Sequence, residues 1–134
     1  MIVFMKPQFF DLLSAPPPLS RPIRQLNPFD PAVRDRARLE RLFAFAYRNE
    51  MFVPRNQRRW GYYVNPMLEG LRFAGRIELK PDRGEGELLV SGFWREAWVK
   101  CSESRQAGPE GELIRFARFA GLEHVRWVLE PGRN

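Results

Sequence analysis

The chain has 134 residues, 44% of them hydrophobic and 13% aromatic, and a net charge of +6. That suits one globular domain with a core of its own and excludes a disordered chain. A single cysteine (Cys101) excludes an internal disulfide and fits a reducing cytoplasm. With one histidine (His124) as its only company, it excludes a zinc site of the usual Cys/His type. Both are read as packing residues, and no cofactor or metal is expected.

The first residues, Met1 to Met5, are apolar but brief, and Lys6 follows the apolar run instead of preceding it. This is no secretory signal, and no run approaches the roughly 18 apolar residues of a membrane span. Gln8 to Leu13 reads as the last turn of a helix, and Pro16-Pro17-Pro18 as a stiff extended joint. Residues 1–26 are therefore expected to be the remnant of something longer, linked to a domain over residues 27–134.

Asp30 is an N-cap candidate and Pro31 suits the first helical position, so a helix is predicted to about Phe45. Leu39, Leu42, Phe43 and Ala46 fall on one face; Arg34, Arg38 and Arg41 form a stripe on another. Strands are predicted at Tyr47–Val53, Arg59–Asn65, Leu71–Lys80 and Glu87–Trp94. In the third, Leu71, Phe73, Gly75, Ile77 and Leu79 alternate with Arg72, Ala74, Arg76, Glu78 and Lys80. Residues 102–111 read as loop. Glu110 to Ala120 reads as an amphipathic helix stopped by Gly121, with Leu113, Phe116, Ala117 and Ala120 inward, and Val125, Trp127 and Leu129 as a last strand. The expected class is α+β: a small antiparallel sheet or barrel with two amphipathic helices.

The charge is uneven. Residues 21–83 carry 14 Arg/Lys against 7 Asp/Glu, a net of +7, while residues 84–134 carry 7 against 8. An anionic partner is expected at the central block. Catalytic patterns are thin: no glycine-rich phosphate cradle and no Gly-x-Ser-x-Gly elbow occur. A free-standing enzyme would have to use Glu50 or Glu78. The better lead is Arg58-Arg59-Trp60-Gly61-Tyr62-Tyr63-Val64, where cations run into aromatic rings. On a strand it is either a phosphate-contacting patch or a barrel strand with a charged edge. The candidate nucleic-acid contacts are Arg34, Arg38, Arg41, Arg55, Arg58, Arg59, Trp60 and Tyr63.

Several motifs occur in one order: Asn27-Pro28-Phe29-Asp30-Pro31, Arg34-Asp35-Arg36, Leu42-Phe43-Ala44-Phe45, Tyr47-Arg48, Val53-Pro54, Arg58 to Pro66, Gly75 to Lys80, and Asp82-Arg83. In order and spacing they resemble the C-terminal region of the DNA interstrand-crosslink repair glycosylases, the YcaQ/AlkZ-like family of winged-helix proteins. Ala44 stands where that family usually has Gly, Asn65 replaces a common Leu, and Trp60 a common Tyr. The resemblance implies tandem winged helices scaffolded by a C-terminal β-barrel, acting on the N-glycosidic bond of alkylated or crosslinked purines. It also makes the N-terminal remnant the end of a winged-helix segment. Family catalysis depends on Gln-x-Gln or Gln-x-Asp in the first winged helix; Gln8, Gln25, Gln57 and Gln106 are all isolated here. The chain is thus expected to be a scaffold that contacts the DNA backbone and is not catalytic alone. Its expected partners are double-stranded DNA and a winged-helix catalytic portion, upstream in cis or in trans. The alternative is a protein-interaction module that docks on a separately encoded winged-helix partner.

Overall fold

The computed structural model describes residues 22–100 and 103–129, with side chains from residue 108 onward in the second stretch. Five strands lie in chain order in one curled sheet: β1 (Ile23–Gln25), β2 (Val64–Glu69), β3 (Arg72–Asp82), β4 (Glu87–Arg95) and β5 (His124–Trp127). Neighbours are antiparallel from β1 to β4, whereas β5 is parallel to β4. The α+β class stands, and the last pair makes the sheet mixed. The described residues form three α-helices, α1 (Pro31–Arg34), α2 (Arg36–Phe43) and α3 (Glu103–Phe119), and α3 lies in the crossover that the parallel pair needs. Ile23–Gln25 belonged to no predicted element. Residues 1–21 of the predicted remnant and linker, and Cys101, lie outside the described residues, whereas Ile23–Gln25 of that span joins the sheet as β1.

Helix α3 starts earlier than its sequence suggests, running through Gly108 and Pro109 where a loop was expected. Packing against β1 outweighs local propensity. Glu112, 3% exposed, accepts the Gln25 N–H at 3.0 Å and pairs with Arg115 at 2.7 Å and Arg24 at 3.4 Å. This caps an otherwise open strand edge with a side chain.

The sheet is buried on both faces. Met67, Ile77, Leu79, Leu88 and Val90 pack with Leu113, Ala117 and Leu122 on the α3 side. Val33, Leu39, Phe45, Tyr47 and Phe73 form a second core on the other. The sequence put Phe73 and Ile77 on one face of β3. A register shift, where Met67 pairs with Gly75 but Leu68 with Phe73, inserts Ala74 as an extra residue and divides them between the two cores. Arg76 and Glu78, predicted to face solvent, lie 5% and 8% exposed beneath residues 44–63.

The single predicted helix is two. Asp30 caps α1 by accepting the Ala32 N–H at 2.8 Å. Asp35 is extended (φ −87°, ψ 99°) and caps α2 by accepting the Arg38 N–H at 3.0 Å. With the helix broken, Leu39 is fully buried and Phe43 half-buried, but Leu42 is 63% exposed and Ala46 lies beyond the helix end. Helix α2 ends at Ala44, which holds a left-handed φ of 50° and donates its N–H to the Glu40 carbonyl. That conformation costs an L-residue with a Cβ about 1–2 kcal/mol. Replacing Ala44→Gly removes that cost and is expected to raise stability by about 0.5–1 kcal/mol in urea denaturation; a loss of stability would show that the Ala44 methyl contributes packing instead.

Candidate nucleic-acid interface

Neither Tyr47–Val53 nor Arg59–Tyr63 is a strand. From Ala44 to Tyr63 the chain is irregular except for a 3-10 turn at Arg55–Gln57, and β2 begins at Val64. This corrects the strands predicted at Tyr47–Val53 and Arg59–Asn65, of which only Val64 and Asn65 belong to a strand. A segment laid over a sheet has to satisfy its backbone without a ladder. Two buried carboxylates do so. Glu50 accepts the N–H of Arg59 at 2.9 Å, of Trp60 at 2.8 Å and of Gly61 at 3.1 Å. Glu78, from β3, accepts the N–H of Tyr62 at 2.8 Å and the Ser91 hydroxyl at 2.9 Å. Four consecutive amides are thus held by two acids that sequence offered as catalysts. Gly61 is required by space: a Cβ there would overlap the Glu78 carboxylate.

Arg76 anchors the same segment. It donates to the Ala46 carbonyl and to Glu96, and its guanidinium lies 4.3 Å from the Phe45 ring centre and 4.5 Å from that of Trp60. Burial pushes its pKa down from the usual arginine value, with the Glu96 hydrogen bond opposing. Burial likewise raises the Tyr47 phenol, whose O–H donates to the Val64 carbonyl at 2.7 Å. The Tyr47 phenol therefore stays neutral near neutral pH.

The eight predicted contacts separate into groups. Arg58 and Arg59 lie together on the clamped segment: Arg58 donates Nε–H to the Val53 carbonyl at 2.8 Å and covers Tyr62 at 5.0 Å, and Arg59 covers Trp60 at 4.7 Å. Trp60 also meets the Trp94 ring edge at 5.4 Å, so much of its surface is covered by protein. Tyr63 is half-buried and its hydroxyl accepts from Asn27 at 3.0 Å. Arg55 is exposed in the 3-10 turn that precedes Arg58, and Arg41 is exposed on α2. Arg38 reaches back to donate to the Pro31 carbonyl at 2.6 Å, tying α2 to α1. The helix break removes Arg34 from the expected stripe. It lies instead in a cleft of about 600 Å³ with Arg36, Arg48, Asn49, Phe29 and Tyr47. Arg36 and Arg48 were missed from sequence; the second capping acid, Asp35, was the signal for the break.

Five of the seven acids in residues 21–83 (Asp30, Asp35, Glu50, Glu78 and Asp82) accept backbone N–H bonds. Of these, Asp30, Asp35, Glu50 and Asp82 form no ion pair with any described residue. Arg34, Arg36, Arg38, Arg41, Arg48, Arg55, Arg58 and Arg59 form no ion pair with any described residue. By contrast Arg24, Arg115 and Arg126 on the α3 and β5 side are all paired. One region thus offers guanidinium donors without competing carboxylates, the chemistry that phosphates need.

The family model described as "DNA glycosylase AlkZ-like" matches residues 5–119. The chain belongs to the AlkZ-like DNA glycosylase family. No solved structure matches it. The AlkZ-like match spans the arginine-rich helices, the clamped segment and the four antiparallel strands, and it ends with α3. Among the described residues of this AlkZ-like chain, no group of His, Cys, Asp or Glu is placed to hold a metal, and no helix is long and apolar enough to cross a membrane.

Glu50→Gln puts an N–H donor against backbone N–H donors and is expected to lower stability by about 2–3 kcal/mol in urea denaturation. Gly61→Ala, which crowds the Glu78 carboxylate, is expected to cost about 1–3 kcal/mol. Changes within about 0.5 kcal/mol for both, as for ordinary surface positions, would contradict the clamp.

Proposed function

We propose that this AlkZ-like chain is the scaffold and DNA-backbone-contacting part of a crosslink-repair DNA glycosylase, with bond cleavage left to a winged-helix portion. The observation that carries this reading is the set of arginines over residues 34–59 that form no ion pair among the described residues, with Asp30, Asp35 and Glu50 bound to backbone amides. Family membership supports it. So does the state of the two best-placed carboxylates. A general acid needs a proton and access to the leaving group, whereas Glu50 and Glu78 are 8% exposed and bind amide N–H groups as acceptors. No Gln-x-Gln or Gln-x-Asp triplet occurs in the sequence.

Such a domain grips DNA through phosphates, and its affinity falls with salt because binding releases condensed counterions into the solution. With about four phosphates neutralised, log K against log salt should slope by about −3.6 on duplex DNA, with little dependence on sequence. The full chain is expected to show no release of alkylated purine by itself. Absence of binding at low salt would overturn the DNA-contact reading, and base release by the isolated chain would overturn the scaffold reading.

A further inference from the structure

The broken helix builds a site that the linear arginine pattern does not reveal. In a continuous helix Arg34 and Arg36, two residues apart, would point to nearly opposite faces. Asp35 is extended instead, and both side chains line the same cleft. The irregular segment that follows α2 brings Arg48 and Asn49 to the opposite wall, below the turn in which Val53 donates to the Glu50 carbonyl at 3.0 Å. No acidic side chain lines the cleft. The nearest acids in sequence are turned elsewhere: Asp30 and Asp35 cap α1 and α2, and Glu50 accepts the amides of residues 59–61. Asn49 uses its carbonyl oxygen to accept the Met51 N–H at 3.0 Å, which leaves its NH₂ as a donor. The Tyr47 hydroxyl is turned away to Val64, so that residue contributes only its ring. Phe29, 57% exposed, adds an apolar surface at the rim.

We propose that the cleft formed by Arg34, Arg36 and Arg48 seats one internal phosphodiester of duplex DNA, with Asn49 as an added donor and Phe29 against the adjoining sugar. Three guanidiniums without a carboxylate suit a phosphate's several acceptor oxygens. The inference rests on the DNA-contact reading above and gives one of its phosphates a definite seat.

Arg48→Glu and the double variant Arg34→Ala/Arg36→Ala are compared with Arg126→Ala, which lies on β5 away from the cleft. All four positions are exposed, and thermal midpoints check that each variant folds. The cleft variants are expected to weaken duplex binding at least about ten-fold and to reduce the salt slope by about 0.9, the loss of one phosphate. Arg48→Lys should keep most of the slope, and Arg126→Ala should bind as the parent does. Closed circular DNA should bind as tightly as linear DNA; a requirement for a phosphorylated end would overturn the internal-phosphodiester assignment. Unchanged binding by the cleft variants, with the parent still binding, would overturn this inference and leave the broader reading intact. If the parent binds no DNA, the broader reading fails, and titration of inorganic phosphate followed at the arginine Nε–H signals decides the cleft: shifts at Arg34, Arg36 and Arg48 support an anion seat, and none overturns it.

Discussion

Everything on one side of the sheet depends on how Glu50 and Glu78 satisfy the backbone of residues 59–62. A strand laid across that face would have paired with its neighbours. This segment has no such partner, yet Gly61 is buried and the amides on either side are drawn inward. Leaving even one of these amides unsatisfied would cost about 1–3 kcal/mol. The two carboxylates remove that cost while keeping the chain off the sheet's hydrogen-bonding edge. Arg76 then fixes the depth of the segment by bonding Ala46 and packing between Phe45 and Trp60. The hydrophobic cluster of Phe45, Tyr47 and Phe73 closes beneath it, with Phe45 stacked on Phe73 at 4.5 Å.

The arrangement has an electrostatic consequence. An acid whose oxygens face backbone amides has fewer lone pairs left for arginines, although Glu112 serves both. The same choice recurs at Asp30, Asp35 and Asp82, each bonded to amides a few residues ahead. The arginines of residues 34–59 form no ion pair with a described residue, though Arg38 and Arg58 donate to backbone carbonyls, while Arg24, Arg115 and Arg126 are paired. One allocation of carboxylates thus both stabilises the fold and leaves these arginines without an ion pair among the described residues.

Much of this was legible in the sequence. The β3–β4 hairpin, the amphipathic end of α3 and the Asp30-Pro31 helix start all follow from local periodicity and capping chemistry. The motif order also identified the family. What failed was whatever tertiary contact decides. Alternation over Arg59–Asn65 mimics a strand, but nothing in the local pattern shows that two distant acids will take its amides. The bulge at Ala74 is equally silent, so Phe73 and Ile77 appeared to share a face. The helix break was recoverable, because Asp35 repeats the capping signal of Asp30 five residues on. Reading it would have separated Arg34 from Arg38 and Arg41. Asn65, in place of an apolar residue, proved to be buried, with its NH₂ donating to Gln25.

Amide hydrogen exchange at Arg59, Trp60, Gly61 and Tyr62 tests the clamp most directly, in the parent protein and in Glu50→Ala. Irregular segments ordinarily exchange through small local openings. Amides held by buried carboxylates should instead be protected nearly as well as those of β3, and Glu50→Ala should release the first three while the β3 amides stay slow. Exchange of these amides in the parent at the rate of an exposed loop would contradict the account.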